Sequence, residues 1–169
     1  MTATLSTKEY KKKIVGTLDE VLKPAGFKKN GNIYSLVYSD ITHFISLQSS
    51  MSSSASVLKI TINIEMCSLQ LAAFRDDRIP LSAYRNYNRR IGTFIDEKPD
   101  KWWMISNMQQ ADDASHEIRS IVSEQVLPYL TSIQATDDLI KIWQSGRCDG
   151  VSVQARQHYL KLLGADLPQ

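Results

Sequence analysis

The 169-residue sequence predicts an α+β fold: an antiparallel sheet of about five strands, with an N-terminal helix and C-terminal helices packed on its apolar face. Three observations carry that prediction. Residues 57–66 alternate, with Leu58, Ile60, Ile62, Ile64 and Met66 on one parity and Lys59, Thr61, Asn63 and Glu65 on the other. Successive strand side chains point to opposite faces, so this stretch is a strand with one apolar and one polar face, in a sheet packed on one side. Residues 7–23 instead repeat Tyr10, Ile14, Leu18, Val21 and Leu22 at helical spacing. The last third of the chain returns to the helical period, through Ala114, Ile118, Ile121, Val122, Val126 and Leu130 and then Leu139, Ile140, Ile142 and Trp143.

Each element has a local reason. The first helix opens at Ser6 or Thr7, which can accept from the free N–H groups of the first turn, and closes before Pro24. Its Lys11, Lys12 and Lys13 read as a solvated face. Asn30 and Gly31 signal a turn into a hairpin of residues 33–38 and 41–49, with Ile41, His43, Ile45 and Leu47 on one side of the second strand. A serine-rich, flexible loop over 49–56 leads to the alternating strand. Residues 67–74 fit either a continuation of that strand or a short helix, and 75–80 a loop. A fourth strand is read over 89–95, where Gly92 marks a bulge or a close backbone approach, then a turn over 96–100 and a short fifth strand over 101–105. The next helix begins near Asp112, where Asp112 and Asp113 suit its positive end, and Pro128 should kink or end it. Another helix starts at Thr136 and stops at Gly146, and a last one runs from a Ser152 cap to Leu163 before Gly164. The expected organisation is an α+β core domain over 1–146 with a helical extension, 147–169, packed on it.

Composition narrows the classes. Hydrophobic content of 43% and charged content of 22% are ordinary for a globular protein, and the length suffices to bury about two-thirds of the unfolded surface. A net charge of +2 is too small to argue for nucleic acid or an anionic membrane as partner. No apolar run approaches the roughly 18 residues of a membrane span. The opening residues carry no charged-then-apolar signal pattern, and Cys67 and Cys148 read as reduced thiols of a cytoplasmic protein.

Several pieces in order carry a resemblance: Leu22-Lys23-Pro24-Ala25-Gly26-Phe27-Lys28-Lys29, Asn32-Ile33-Tyr34, Gln48-Ser49-Ser50, Ile62-Asn63-Ile64, Arg90-Ile91-Gly92, Lys101-Trp102-Trp103 and Val126-Leu127-Pro128-Tyr129. Over about residues 8–143 the chain resembles the bacterial domain-of-unknown-function family 4304. The resemblance implies a small standalone cytoplasmic protein and, for some members, immunity to the product of a neighbouring toxin gene. It brings no catalytic residues with it.

Chemistry-bearing groups are scattered. His43, His116 and His158 stand alone, without the clustered nitrogen and sulfur ligands a zinc site needs, so no metal site is assigned. The adjacent Asp76 and Asp77 read as salt-bridged loop charges. Cys67 near His43 across the sheet would make a nucleophile pair, but a buried small hydrophobe is the simpler reading of Cys67. With no G-x-S-x-G and no glycine-rich phosphate loop, the sequence implies no cofactor, and no catalytic residue is assigned.

The adjacent tryptophans are the most unusual feature. On a strand their rings face opposite sides, and an outward tryptophan is a frequent binding anchor; the competing reading packs both under loops or helices. Arg85, Arg89 and Arg90 lie upstream, and Lys59 and Asn63 lie on the polar face. The candidate binding set is therefore Trp102, Trp103, Arg89, Arg90, Lys59 and Asn63. The leading function is a non-enzymatic protein-binding module, with a toxin as the partner the resemblance implies. The alternatives are an enzyme built from dispersed polar residues and a nucleic-acid binder. Aromatics beside arginines suit single strands, against which stands the small net charge.

Overall fold

The computed structural model describes residues 6–95 and 100–168 and is built around β4 (Leu58–Ser68). Ile60, Ile62, Ile64 and Met66 on its inner row have 0% exposure. Burying each such side chain contributes about 1.5–3 kcal/mol, so this row anchors the core. β3 (Ile41–Ser49) pairs antiparallel with β4 along its whole length, and β2 (Ile33–Val37) and β1 (Lys28–Asn30) follow beyond it. On the other edge of β4, β5 (Tyr87–Arg90) and β6 (Trp103–Ile105) lie end to end, β5 against Asn63 to Met66 and β6 against Leu58 to Ile60. The sheet thus has six antiparallel strands where the sequence suggests about five. The extra one is β1, a short edge strand whose three residues are all exposed and so carry no alternation to read. Gly31, at φ +60°, makes the turn that joins it to β2.

Helices cover the inner face. α1 (Thr7–Leu22) buries Tyr10, Ile14, Leu18 and Leu22, and its start is held by the Ser6 N–H donating to the Glu9 carboxylate at 2.7 Å. α3 (Met108–Ile121) packs against α1. It begins at Met108 rather than near Asp112 because the Asn107 side chain caps it, accepting the Gln110 N–H at 2.9 Å. Asp112 is therefore free to pair with Lys13 of α1. Pro128 does not end the helical run. A π-helical turn, Val122–Val126, precedes α4 (Leu127–Thr131), and the Leu127 N–H bonds the Val122 carbonyl. The wider turn shifts the hydrogen-bond register, so Pro128 stands in the first turn of a new segment, where its missing donor is not needed. α5 (Thr136–Gln144) and α6 (Val153–Leu162) follow, with Gly146 and Gly164 beyond their ends at φ +91° and +65°. The Ser152 hydroxyl caps α6 at 3.1 Å from the Ala155 N–H. Leu160 is fully buried, and Tyr159 stacks on Trp143 with centroids 5.8 Å apart.

The connections settle several ambiguous stretches. Residues 67–74 prove to be both alternatives, the last residues of β4 and then α2 (Leu69–Ala72), switched by Ser68, whose hydroxyl accepts the Leu71 N–H at 3.3 Å. The serine-rich loop is closed by its own hydrogen bonds, including Ser50 N–H to the Lys59 carbonyl at 2.8 Å and Lys59 N–H to the Ser53 hydroxyl at 3.0 Å. Asp76 pairs with Arg78, as loop charges should. The strand read over 89–95 stops at Arg90, and a 3-10 turn, Ile91–Phe94, follows with Gly92 buried in it. Arg89 ties that turn back, donating to the Thr93 hydroxyl and carbonyl, each at 2.9 Å. The turn expected over 96–100, apart from Asp100, lies outside the described residues, as do the first five residues. Among the described residues no helix is long and apolar enough to cross a membrane.

Candidate functional site

The alternation that buries Ile60, Ile62 and Ile64 sends Lys59, Thr61, Asn63 and Glu65 to the outer face of the sheet. Register then decides their neighbours. Phe44, Ser46 and Gln48 of β3 stand opposite Glu65, Asn63 and Thr61. Arg90 stands opposite Asn63, and Met104 opposite Lys59. Ile33, Val37, Gln48 and Met104 are exposed, and Phe44, Ser46, Lys59, Asn63 and Glu65 are only partly buried, so this face is open to solvent.

Trp102 precedes β6 on this face. The segment is pinned by the Thr61 hydroxyl, which is fully buried and donates to the Lys101 carbonyl at 2.7 Å. Two cations lie over the Trp102 ring, the Lys59 ammonium 5.1 Å and the Arg90 guanidinium 4.9 Å from its centroid. Such contacts contribute about 0.5–1 kcal/mol each at exposed sites. The indole N–H donates to the Asp100 carboxylate at 3.1 Å, and the same oxygen lies 3.1 Å from Arg90 Nη1. Further along β4 the Asn63 amide donates to Gln48 at 2.9 Å, and the Ser46 hydroxyl donates to Glu65 at 3.2 Å. At the far end the Arg85 guanidinium stacks 3.5 Å over the Phe44 ring, held there by bonds from its Nη1 to the Ser82 and Tyr84 carbonyls.

Four of the six sequence candidates, Trp102, Arg90, Lys59 and Asn63, therefore share one surface. The other two do not. Trp103 stands opposite Ile60, which turns it to the inner side at 7% exposure, where its N–H donates to Glu117 of α3 at 2.7 Å. Arg89 stands opposite Ile64 and stacks its guanidinium 4.0 Å from Phe94 and 5.0 Å from Tyr129. The period of two splits both adjacent pairs. Arg85, named beside the candidates, also belongs to the face, as do Phe44, Gln48, Met104 and Asp100, which the sequence reading does not single out. The parity of residues 41–47 could have found Phe44, but nothing local signals that Arg85 folds back over it.

A second feature is a recess of about 640 Å3 beside β5, lined in part by Arg89, Arg90, Asp149, Cys148 and Ser152. Behind it the Tyr87 hydroxyl donates to Tyr129 at 2.7 Å, and Tyr129 donates to Asp149 at 2.8 Å. Burial first, and then the bond to Asp149, push the Tyr129 hydroxyl up to about 12, so it stays protonated at neutral pH. Asp149 is also paired with Arg89 and Arg147. Arg89, Arg147 and Asp149 thus satisfy one another. Gly150 makes the close approach that allows this: at φ +69°, a Cβ there would lie 2.4 Å from the Tyr87 ring.

The nucleophile pair does not form. His43 stands opposite Met66 on the inner face and is fully buried, while Cys67 belongs to the outer parity, opposite Thr42. Burial holds the His43 imidazole down to about 4 and raises the Cys67 thiol, so the two groups are neutral and on opposite sides of the sheet.

A model of the family described as domain of unknown function (DUF4304) matches residues 18–132, more than half of the chain. The match spans the whole sheet and stops just after α4, leaving α5 and α6 beyond it. No curated protein and no solved structure matches the chain.

Proposed function

The chain belongs to the DUF4304 family, whose description assigns no activity, and from that premise we propose that it is a cytoplasmic bacterial protein-binding module that works without catalysis, through the outer face of its sheet. The observation that carries this reading is the open face itself. Trp102 stands on it among Lys59, Arg90 and Asn63, ringed by polar groups and held by a pinned segment. A tryptophan beside an arginine on a preformed surface is the composition of an interface hot spot. Met104 adds exposed apolar area beside it, and Ile33 and Val37 add more farther across the same face. Arg89, Arg147, Tyr129 and Asp149 around the β5 recess are already paired with one another, which weighs against an enzyme there.

The immunity role that the resemblance implies for some members makes a toxin encoded beside this gene the first partner to test. The assay is co-expression of that toxin with the wild-type protein or with Trp102→Ala, followed by an affinity measurement on the purified pair. The wild type should protect the cells. The variant should stay folded, with its melting temperature lowered by no more than a few degrees, and bind about tenfold more weakly, as loss of a hot spot demands. Equal binding by Trp102→Ala would remove the outer face from the proposal.

A further inference from the structure

The outer face carries more positive than negative charge, although the whole chain is near neutral. Lys28, Lys59, Arg85 and Arg90 belong to it, against Glu65 and Asp100 among the described residues. Glu65 is already engaged by the Ser46 hydroxyl. Asp100 is in a different position. Its carboxylate is 72% exposed; one of its oxygens accepts the Trp102 N–H at 3.1 Å and lies 3.1 Å from Arg90 Nη1, which completes no hydrogen bond among the described residues. A neutral N–H donor and a guanidinium converging on one oxygen, with the Lys59 ammonium over the same ring, form a corner whose chemistry fits a carboxylate. The chain's own Asp100 occupies it. An ion pair this exposed is weakly held, so a second carboxylate presented in a better-buried setting can replace it.

We propose that the corner made by Trp102 and Arg90 is a carboxylate-binding site that receives an aspartate or glutamate side chain from an acidic segment of the partner protein, displacing Asp100. This rests on the reading of the outer face as a protein-binding surface and gives that partner a chemistry. The row of groups along β4 supports an extended segment. From the level of Glu65, where Arg85 covers Phe44, to Lys59 the strand rises about 20 Å, with cations at both ends and the Asn63–Gln48 amide pair between them. Peptide carboxylates fit that spacing better than stacked bases do. Cations already lie over both aromatic rings, at 3.5 Å on Phe44 and 4.9 Å on Trp102, where a base would have to stack.

The test titrates the full chain into a fluorescein-labelled hexaglutamate peptide at low ionic strength and follows anisotropy, with hexaglutamine and oligothymidylate as the other probes. Hexaglutamate should bind and hexaglutamine should not. Asp100→Asn should tighten hexaglutamate by about threefold, since it removes the internal competitor. Arg90→Gln should weaken it about tenfold, and Trp102→Phe, which keeps a ring but loses the N–H, about threefold. Near-ultraviolet circular dichroism of each variant confirms that the fold is retained. Equal binding of hexaglutamine, or indifference to Asp100→Asn and Arg90→Gln, overturns the carboxylate site. Binding of oligothymidylate in preference to hexaglutamate, with the same dependence on Arg90, overturns it in favour of nucleic acid. If the toxin's affinity falls with Trp102→Ala but ignores Arg90→Gln and Asp100→Asn, the outer face keeps its role and only the carboxylate site is lost.

Discussion

The two faces of β4 have the same backbone and opposite consequences. On the inner face Leu58, Ile60, Ile62, Ile64 and Met66 are sealed in the helix-covered core, and His43 of β3 is buried beside them. On the outer face Lys59, Asn63 and Glu65 keep partial contact with water, and their partners are side chains that stack or pair across strands. The inner face is where free energy of folding is concentrated, because it removes apolar area from water. The outer face holds weak, exposed contacts that can be exchanged for a partner's. Substitutions on the two faces should therefore separate stability from binding.

The largest effect belongs to the inner row. Ile62→Ala should cost about 2–5 kcal/mol in urea unfolding, the range for a large-to-small change in a packed core, while the folded fraction binds as before. A cost near zero would put Ile62 outside the core and break the comparison at its strongest point.

The inner face should also be the source of pH sensitivity in mild acid. Burial lowers the His43 pKa from 6.5 to about 4, so between those values the unfolded chain binds the extra proton. Stability is then full above about 6.5 and falls as the pH drops toward 4, by about 1.4 kcal/mol per unit and about 3 kcal/mol in all. His43→Leu should flatten that window in a series of denaturation curves. Asp19 and Asp40 act lower. Burial alone would raise both, but hydrogen bonds, from Lys23, Tyr34 and Lys29 to Asp19 and from Gln70 and Thr136 to Asp40, hold them below the usual carboxylate range. Their contribution is present above about pH 4 and is lost below it, so the variant should keep that steeper acid limb.

Outer-face changes should be small in stability. Trp102→Ala loses the Lys59 and Arg90 contacts and should cost about 1 kcal/mol or less, measured by the same unfolding curves. A loss as large as that of Ile62→Ala would mean that Trp102 is a core residue in effect. The smallest expected change is none at all: a chelator such as EDTA should leave the melting temperature where it was, since the isolated histidines and cysteines lack ligand spacing. A large drop would reveal a metal held by residues distant in sequence.

Much of this contrast was legible in the residues. The period of two over 57–66 assigns the side chains of β4 from Leu58 to Met66 to their faces, and the parity of Ile41, His43, Ile45 and Leu47 does the same for β3. Neighbours in sequence are not neighbours in space here. Arg89 and Arg90 are adjacent in the chain, yet alternation sends one over Phe94 and the other over Trp102. The strand read through Ile95 stops at Arg90 because the Arg89 side chain and Thr93 build a 3-10 turn, a bond pattern with no hydrophobic signature.

By itself the sequence determined the elements whose cause lies within a turn or two of chain: the amphipathic α1, the two-faced β4, and the helix ends at Ser152, Gly146 and Gly164. Those depend on periodicity and capping, which are interactions between residues a few positions apart. Only the tertiary structure decided that β5 and β6 share one edge of β4, that Arg85 lies over Phe44, and that Asp100 and Arg90 meet at the Trp102 indole. Each of those contacts depends on strand register, which is the sum of many weak cross-strand pairings over the whole sheet and is carried by no single stretch of the chain.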